Sequence, residues 1–303
     1  MDQEIQALST NKTWDIVDLP LGKSPIGCKW VYKIKFKADG SVERYKARLV
    51  AKGFTQQEGI DYHDTFSPVV KMVTVRCVVA LAAQSGWCLF QMDVYNAFLQ
   101  GDLFEEVYMS LPPGFGSQGE NKVCRLLKSL YGLKQASRQW NQKLTNALMQ
   151  SGFTQSKLDY SLFTKTNSTG DIVIILIYVD DLLITGSSDR LIQEAKDTLH
   201  HNFKMKDLGE LRYFLGIEFA RSKDGILMNQ RRYALELVSE CGLAGSKPTS
   251  TPLEQNQKLT SVEYDRQFNI TEYDELEDRR IYQRLIGRLL YLAMTRPDIS
   301  FAV

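Results

Sequence analysis

The run Ile172-Val173-Ile174-Ile175-Leu176-Ile177-Tyr178-Val179-Asp180-Asp181-Leu182-Leu183-Ile184-Thr185-Gly186 constrains the chain most. Eight apolar residues precede two adjacent carboxylates, and three follow. Such runs are typical of strands buried in a core. The pattern reads as a strand over 171–179 that continues through the aspartates into Gly186. Burying one unpaired carboxylate costs several kcal/mol, so something must balance the pair. Bound cations would do so. Leu89 to Val94 reads as a second short strand, with Asp93 at its end. Carboxylates from two strand ends can hold two divalent ions ~3.5–4 Å apart for in-line phosphoryl transfer. Oxygen ligands without Cys or His favour two Mg2+ ions, with Mn2+ as the alternative. The plainer readings are an exposed hairpin turn at Asp180-Asp181 and a capping role for Asp93.

Charge is unevenly spread. The chain of 303 residues has a net charge of +1. Residues 29–52 nevertheless hold eight bases against two acids, and residues 122–143 hold six bases and no acid. Acids dominate residues 254–278. Two basic segments in an otherwise acidic chain point towards a phosphate backbone. The longest apolar run has eight residues, whereas a spanning helix needs about 20. The five cysteines are scattered and odd in number, which argues against a disulfide framework and points to an intracellular setting.

The first basic segment reads as a hairpin. Trp30, Tyr32, Ile34 and Phe36 alternate with Val31, Lys33, Lys35 and Lys37 before an Asp39-Gly40 turn. Arg44, Lys46 and Arg48 share one parity on the return strand, giving a cationic face over an aromatic underside. Helices are expected over 68–84, 137–150, 189–201, 231–241 and 280–294. Strands are expected near 160–166, 171–179 and 214–219. Residues 244–278 read as a flexible linker.

These residues also resemble a family. GCKWVYKIKFKADGSVERYKARLVAKGFTQQEGIDYHDTFSPV, QMDVYNAFLQGDLFEEVYMSLPPGF, LKSLYGLKQASRQW, LIYVDDLLITG, LGELRYFLGIEF and LIGRLLYLAMTRPDI occur in order. Together they resemble the reverse transcriptase of copia-type long-terminal-repeat retrotransposons. The resemblance implies an α+β right-hand polymerase, with an antiparallel palm sheet packed on helices. The implied fingers are 1–84 and 101–133, and the palm 85–100 and 134–221. The thumb would be 222–250, the linker 251–279, and 280–303 would begin a connection subdomain.

By the same resemblance Asp93, Asp180 and Asp181 are catalytic metal ligands, joined by the Val94 carbonyl. Lys46 and Arg48 would approach the triphosphate. Tyr95, Asn96, Ala97, Phe98, Tyr131 and Gln135 would surround the nucleotide, with Phe98 excluding a ribose 2′-hydroxyl. Tyr178, Phe214, Leu215 and Gly216 would position the primer, and Gly216 would let backbone approach backbone. The implied partners are an RNA template, a DNA or RNA primer and dNTPs, with no membrane. A cytoplasmic site, or a virus-like particle, is implied too. Ribonuclease H and integrase blocks of such polyproteins are absent from these residues. Tyr95 stands where the family usually has Lys, and Ser137 where Pro is common. Tyr95, between metal ligand and sugar gate, is expected to disturb nucleotide binding. The alternative function is a silent nucleic-acid-binding remnant of such an element.

Overall fold

A computed structural model describes residues 1–37, 39–115, 122–248, 260–269 and 278–303, the side chains of Asp2 and Gln3 excepted. It divides into two compact units, Met1–Leu211 and Arg212–Val303. Residues 212–221, expected at the end of the palm, fall in the second unit.

In the first unit, α1 (Asp2–Thr10) and β1 (Trp14–Asp18) precede a long hairpin, β2 (Cys28–Phe36) and β3 (Val42–Ala51). Then come α2 (Met72–Ser85), β4 (Leu89–Val94), α3 (Ala97–Gln100), β5 (Tyr108–Ser110) and β6 (Lys122–Leu126). The last stretch holds α4 (Ala136–Gln150), β7 (Thr154–Gln155), β8 (Leu162–Thr166), β9 (Ile172–Tyr178), β10 (Asp181–Gly186), α5 (Asp189–Asn202) and β11 (Met205–Glu210).

The main sheet has the order β11-β4-β10-β9-β8-β7, and every pairing in it is antiparallel. Strand pleating sends alternate residues to opposite faces. One face carries Met92, Val94, Ile175, Ile177, Leu182 and Ile184 into a core. Trp140, Leu144 and Leu148 of α4 and Leu191, Ile192, Ala195 and Leu199 of α5 complete that core. The unit is thus α+β, with an antiparallel sheet packed on helices.

Helix α2 begins at Met72, later than the expected Pro68. Its start is fixed from afar. The Lys71 N–H and the Thr74 hydroxyl both donate to one Asp159 carboxylate oxygen, at 3.0 and 2.6 Å. The Asp-Asp segment also departs from expectation. The chain does not run straight through it. It reverses in a two-residue loop, Val179-Asp180, and β10 pairs back on β9.

The second unit opens with β12 (Tyr213–Phe214), β13 (Ile217–Ser222) and β14 (Gly225–Asn229), an antiparallel sheet in that order. Helices α6 (Arg231–Glu240), α7 (Val262–Gln267) and α8 (Arg279–Leu292) follow. The expected linker therefore contains a short helix, capped by the Ser261 hydroxyl. Much of that segment lies outside the described residues.

Candidate active site

The register of the main sheet sets one row of side chains. Lys206 on β11 faces Asp93 on β4, Asp93 faces Asp181 on β10, and Asp181 faces Tyr178 on β9. The pleat turns this row away from α4 and α5. Asp180 stands beside it in the β9–β10 loop. Gln91, two residues before Asp93, donates from Nε2 to Asp181 Oδ1 at 3.1 Å.

These carboxylates burden one another. Burial, then the Asp180 charge, pushes the Asp93 carboxyl above its ordinary value, with Lys206 and Lys46 opposing. Asp181 is also raised, by burial first and by Asp180 and Asp93 after the opposing Gln91 bond. Among the described residues no three His, Cys, Asp or Glu groups already converge as a metal's ligand shell. Like charges this close together repel, and an all-oxygen donor set suits a hard divalent ion. The donor chemistry of Asp93, Asp180 and Asp181 therefore fits such a cation.

The loop carrying Asp180 is held under strain. Val179 has φ of 56°. This is left-handed backbone, where two-residue hairpin loops favour glycine and a β-branched residue is an outlier. Such a residue costs about 1–3 kcal/mol and persists only when its surroundings over-determine it. Here they do. The Trp140 indole N–H donates to the Val179 carbonyl at 2.7 Å, and the Val94 N–H donates to the Asp180 carbonyl at 2.9 Å.

A cationic face meets the row. In the β2–β3 hairpin Lys33 pairs with Lys46, Lys35 with Arg44, and Val31 with Arg48. All six therefore share one face. The opposite face carries Tyr32 and Tyr45, 66% and 79% exposed, so the expected aromatic underside is largely open to solvent. The Arg48 guanidinium lies 4.5 Å from the centre of the Tyr131 ring. Tyr131 packs edge-on against Phe98, with ring centres 5.0 Å apart. Burial lifts the Tyr131 hydroxyl pKa; Arg48 opposes, and Asp180 and Asp93 add to it. Burial and the neighbouring charges of Arg48 and Arg44 hold the Lys46 ammonium below its usual range. Lys46, Arg48, Phe98, Tyr131 and the three aspartates thus form one electrostatic neighbourhood.

The hairpin is seated by two glycines. The Ala51 N–H donates to the Tyr131 carbonyl at 2.7 Å. A Cβ on Gly132 would stand 2.2 Å from the Ala51 carbonyl oxygen, and one on Gly53 2.0 Å from the Gly132 carbonyl oxygen.

Other expected residues lie elsewhere. Gln135 is 0% exposed, and its amide is engaged by Gln56 and by the Asp61 carbonyl. It shapes the wall and offers nothing to a nucleotide. The Tyr95 ring lies 4.9 Å from the Lys204 ammonium. With Asn96 it lines a cavity of about 390 Å3 beside α1 that includes none of the three aspartates. The departure at Tyr95 thus faces away from the carboxylate row. Ala97 is buried in the core. Ser137 occupies the first turn of α4, where an amide N–H has no partner within the helix, so Pro and Ser are both accommodated. Phe214, Leu215 and Gly216 belong to the second unit. There Leu215 and Gly216, with φ of 51° and 74°, form the turn between β12 and β13. The close neighbour of Gly216 is the Tyr291 hydroxyl, 3.0 Å from a Cβ placed there, rather than backbone.

The second basic segment is a correction. Lys122 pairs with Asp18, Arg138 with Asp64, and both Lys128 and Lys143 with Asp102. Lys134 bonds to the Gln56 carbonyl and the Tyr62 hydroxyl. Four of the segment's six bases thus form ion pairs within the unit, and the denser cationic face is that of the β2–β3 hairpin. Gln91 and Lys206 escaped sequence reading. The two-residue spacing of Gln91 from Asp93 was a usable signal; Lys206 needed the register of β11.

An antiparallel sheet bearing a row of carboxylates beside a cationic hairpin is the build of a nucleotidyl-transferring domain. The chain belongs to the reverse transcriptase (RNA-dependent DNA polymerase) family, whose model matches residues 11–255. It is 46% identical over 305 residues to the retrovirus-related Pol polyprotein from transposon RE1 of Arabidopsis thaliana, covering 100% of this chain and 20% of that protein. Identity to the corresponding polyprotein from transposon TNT 1-94 of Nicotiana tabacum is 40% over 308 residues, covering 100% of this chain and 23% of that protein. Both are copia-type relatives, and the chain spans about a fifth of their length. Among solved structures, the prototype foamy virus protease–reverse transcriptase aligns over 96% of this chain and 35% of its own, at 11% identity and a TM-score of 0.36.

Proposed function

We propose that the chain is the polymerase part of a copia-type Pol polyprotein and extends a primer on an RNA template with dNTPs. The observation that carries this reading is the pairing of Asp93 with Asp181 across β4 and β10, beside Asp180 and facing the cationic hairpin. In the reaction the primer 3′-oxygen attacks the α-phosphorus, the hydroxyl proton passes to solvent water, and the bond to pyrophosphate breaks. Asp93, Asp180 and Asp181, with the Val94 carbonyl, would hold two Mg2+ ions. Bound there, they would lower the pKa of the attacking hydroxyl and neutralise the leaving group. Lys46 and Arg48 draw in the triphosphate, and charge-assisted hydrogen bonds hold it. Tyr131 supports the base, and Phe98 crowds the sugar 2′ position. Tyr178, which faces Asp181 across β9 and β10, is assigned to the primer end.

Primer extension on an RNA template with Mg2+ tests the reading. Incorporation of dNTPs is expected; tight primer–template binding without incorporation would instead identify a silent remnant.

Two variants test the pocket. Lys46→Ala and Arg48→Ala should each raise the dNTP KM about 10–100-fold, the range for a lost charged hydrogen bond. Arg48→Ala should be worse, because it also uncovers Tyr131. Phe98→Val should lower discrimination against ribonucleotides roughly 10–100-fold, measured as the ratio of kcat/KM values.

A further inference from the structure

We infer that Trp140 is a positioning residue for the Asp180 loop, its indole N–H latching the Val179 carbonyl so that the strained turn presents Asp180. The inference rests on the polymerase reading for its catalytic consequence, while the latch itself is a property of the chain alone.

The geometry is specific. Trp140 is 1% exposed, so its N–H has no water to bond. Its partner lies 39 residues away, in a loop whose only other carbonyl is taken by Val94. The ring is fixed edge-on to Phe203, with centres 5.1 Å apart. The same turn of α4 is pressed against the segment that follows Asp93, for a Cβ on Gly101 would come 2.9 Å from the Trp140 amide nitrogen. One turn of helix therefore touches both the loop that carries Asp180 and the chain just beyond α3. The strain at Val179 explains why a latch is needed. A valine does not hold φ of 56° unaided. A glycine there would.

The test uses the full chain and three variants: Trp140→Phe, Val179→Gly and the two combined. Phenylalanine keeps a ring against Phe203 but removes the donor together with part of the indole's volume, and the Val179→Gly background separates the two, because it relieves only the loss of the donor. In the wild type the Trp140 indole N–H should exchange with solvent only on global unfolding, followed by NMR. Fast exchange would overturn the latch without any variant. In the folded, metal-free chain, Trp140→Phe should speed amide exchange of residues 180–182 at least tenfold, and Val179→Gly in the same chain should reverse most of that gain. In primer extension Trp140→Phe should lower kcat on the order of 10²-fold with the dNTP KM nearly unchanged, the scale for misplaced reacting groups. The loss should shrink to severalfold in the Val179→Gly background. Equal losses in both backgrounds, or wild-type kcat in Trp140→Phe, would reduce Trp140 to a packing residue. If the wild type incorporated nothing, the polymerase reading would fall, and the exchange data would still decide the latch.

Discussion

Asp180→Asn should abolish nucleotide incorporation, by on the order of 10³-fold or more, while leaving the metal-free protein more stable than wild type at neutral pH. The two halves share one cause. Asp93 and Asp181 have raised carboxyl pKa values, each from burial first and each with Asp180 contributing. Their protonated forms are favoured on folding. The stability they lend is fully present below the ordinary Asp value of 3.8 and is lost as pH rises through their raised folded values. At neutral pH the folded chain therefore carries uncompensated repulsion, which Asp180→Asn relieves. Its Tm should exceed that of wild type by a few degrees, on the scale of about 2–4 °C per kcal/mol. The advantage should fade towards pH 4, where the wild-type carboxyls take up protons. Mg2+ should raise the wild-type Tm and leave the variant nearly unmoved. Thermal scans across pH, with and without Mg2+, check this; full activity in Asp180→Asn would overturn the ligand assignment.

Gly132→Ala should be the most damaging single methyl group in the fold. At φ of 93° the backbone is one that L side chains rarely adopt, and the new Cβ would stand 2.2 Å from the Ala51 carbonyl oxygen. It would also stand 2.7 Å from Val50 Cγ1, and the nearer neighbour is backbone, which cannot swing aside as a side chain can. Relaxation would have to part Ala51 from Tyr131, breaking the 2.7 Å bond that seats the cationic hairpin beside the aspartates. A cost above about 3 kcal/mol is expected from strain and the lost contact together. Urea unfolding measures it. Any folded Gly132→Ala protein should also bind dNTP more weakly, since Arg48 and Tyr131 would lose their stacking. A substitution tolerated within about 0.5 kcal/mol would contradict the seat described here.

The sequence made some of this legible. The apolar run before Asp180, the alternating hairpin and the helical spacing over 137–150 are local patterns, and local patterns survive into the fold. The reversal at Val179-Asp180 is not local. It lacks the Asn-Gly or Asp-Gly signature of a hairpin loop, because Trp140 and Val94 supply from a distance what glycine would supply in place. Charge shows the same limit. Counting bases over 122–143 cannot reveal that four of them pair with Asp18, Asp64 and Asp102, two sharing the last. Gln135 follows Tyr131 closely in the chain, yet its amide turns towards Gln56 and Asp61. Contiguity in a motif did not place its side chain in the site.

The central claim is that Asp93, Asp180 and Asp181 jointly bind the ions of nucleotidyl transfer. Its most direct test is anomalous scattering from crystals of the chain with primer–template, dNTP and Mn2+. Two manganese peaks ~3.5–4 Å apart, ligated by Asp93 and Asp180, are the predicted result. A fully bound dNTP with no manganese at these carboxylates would contradict it.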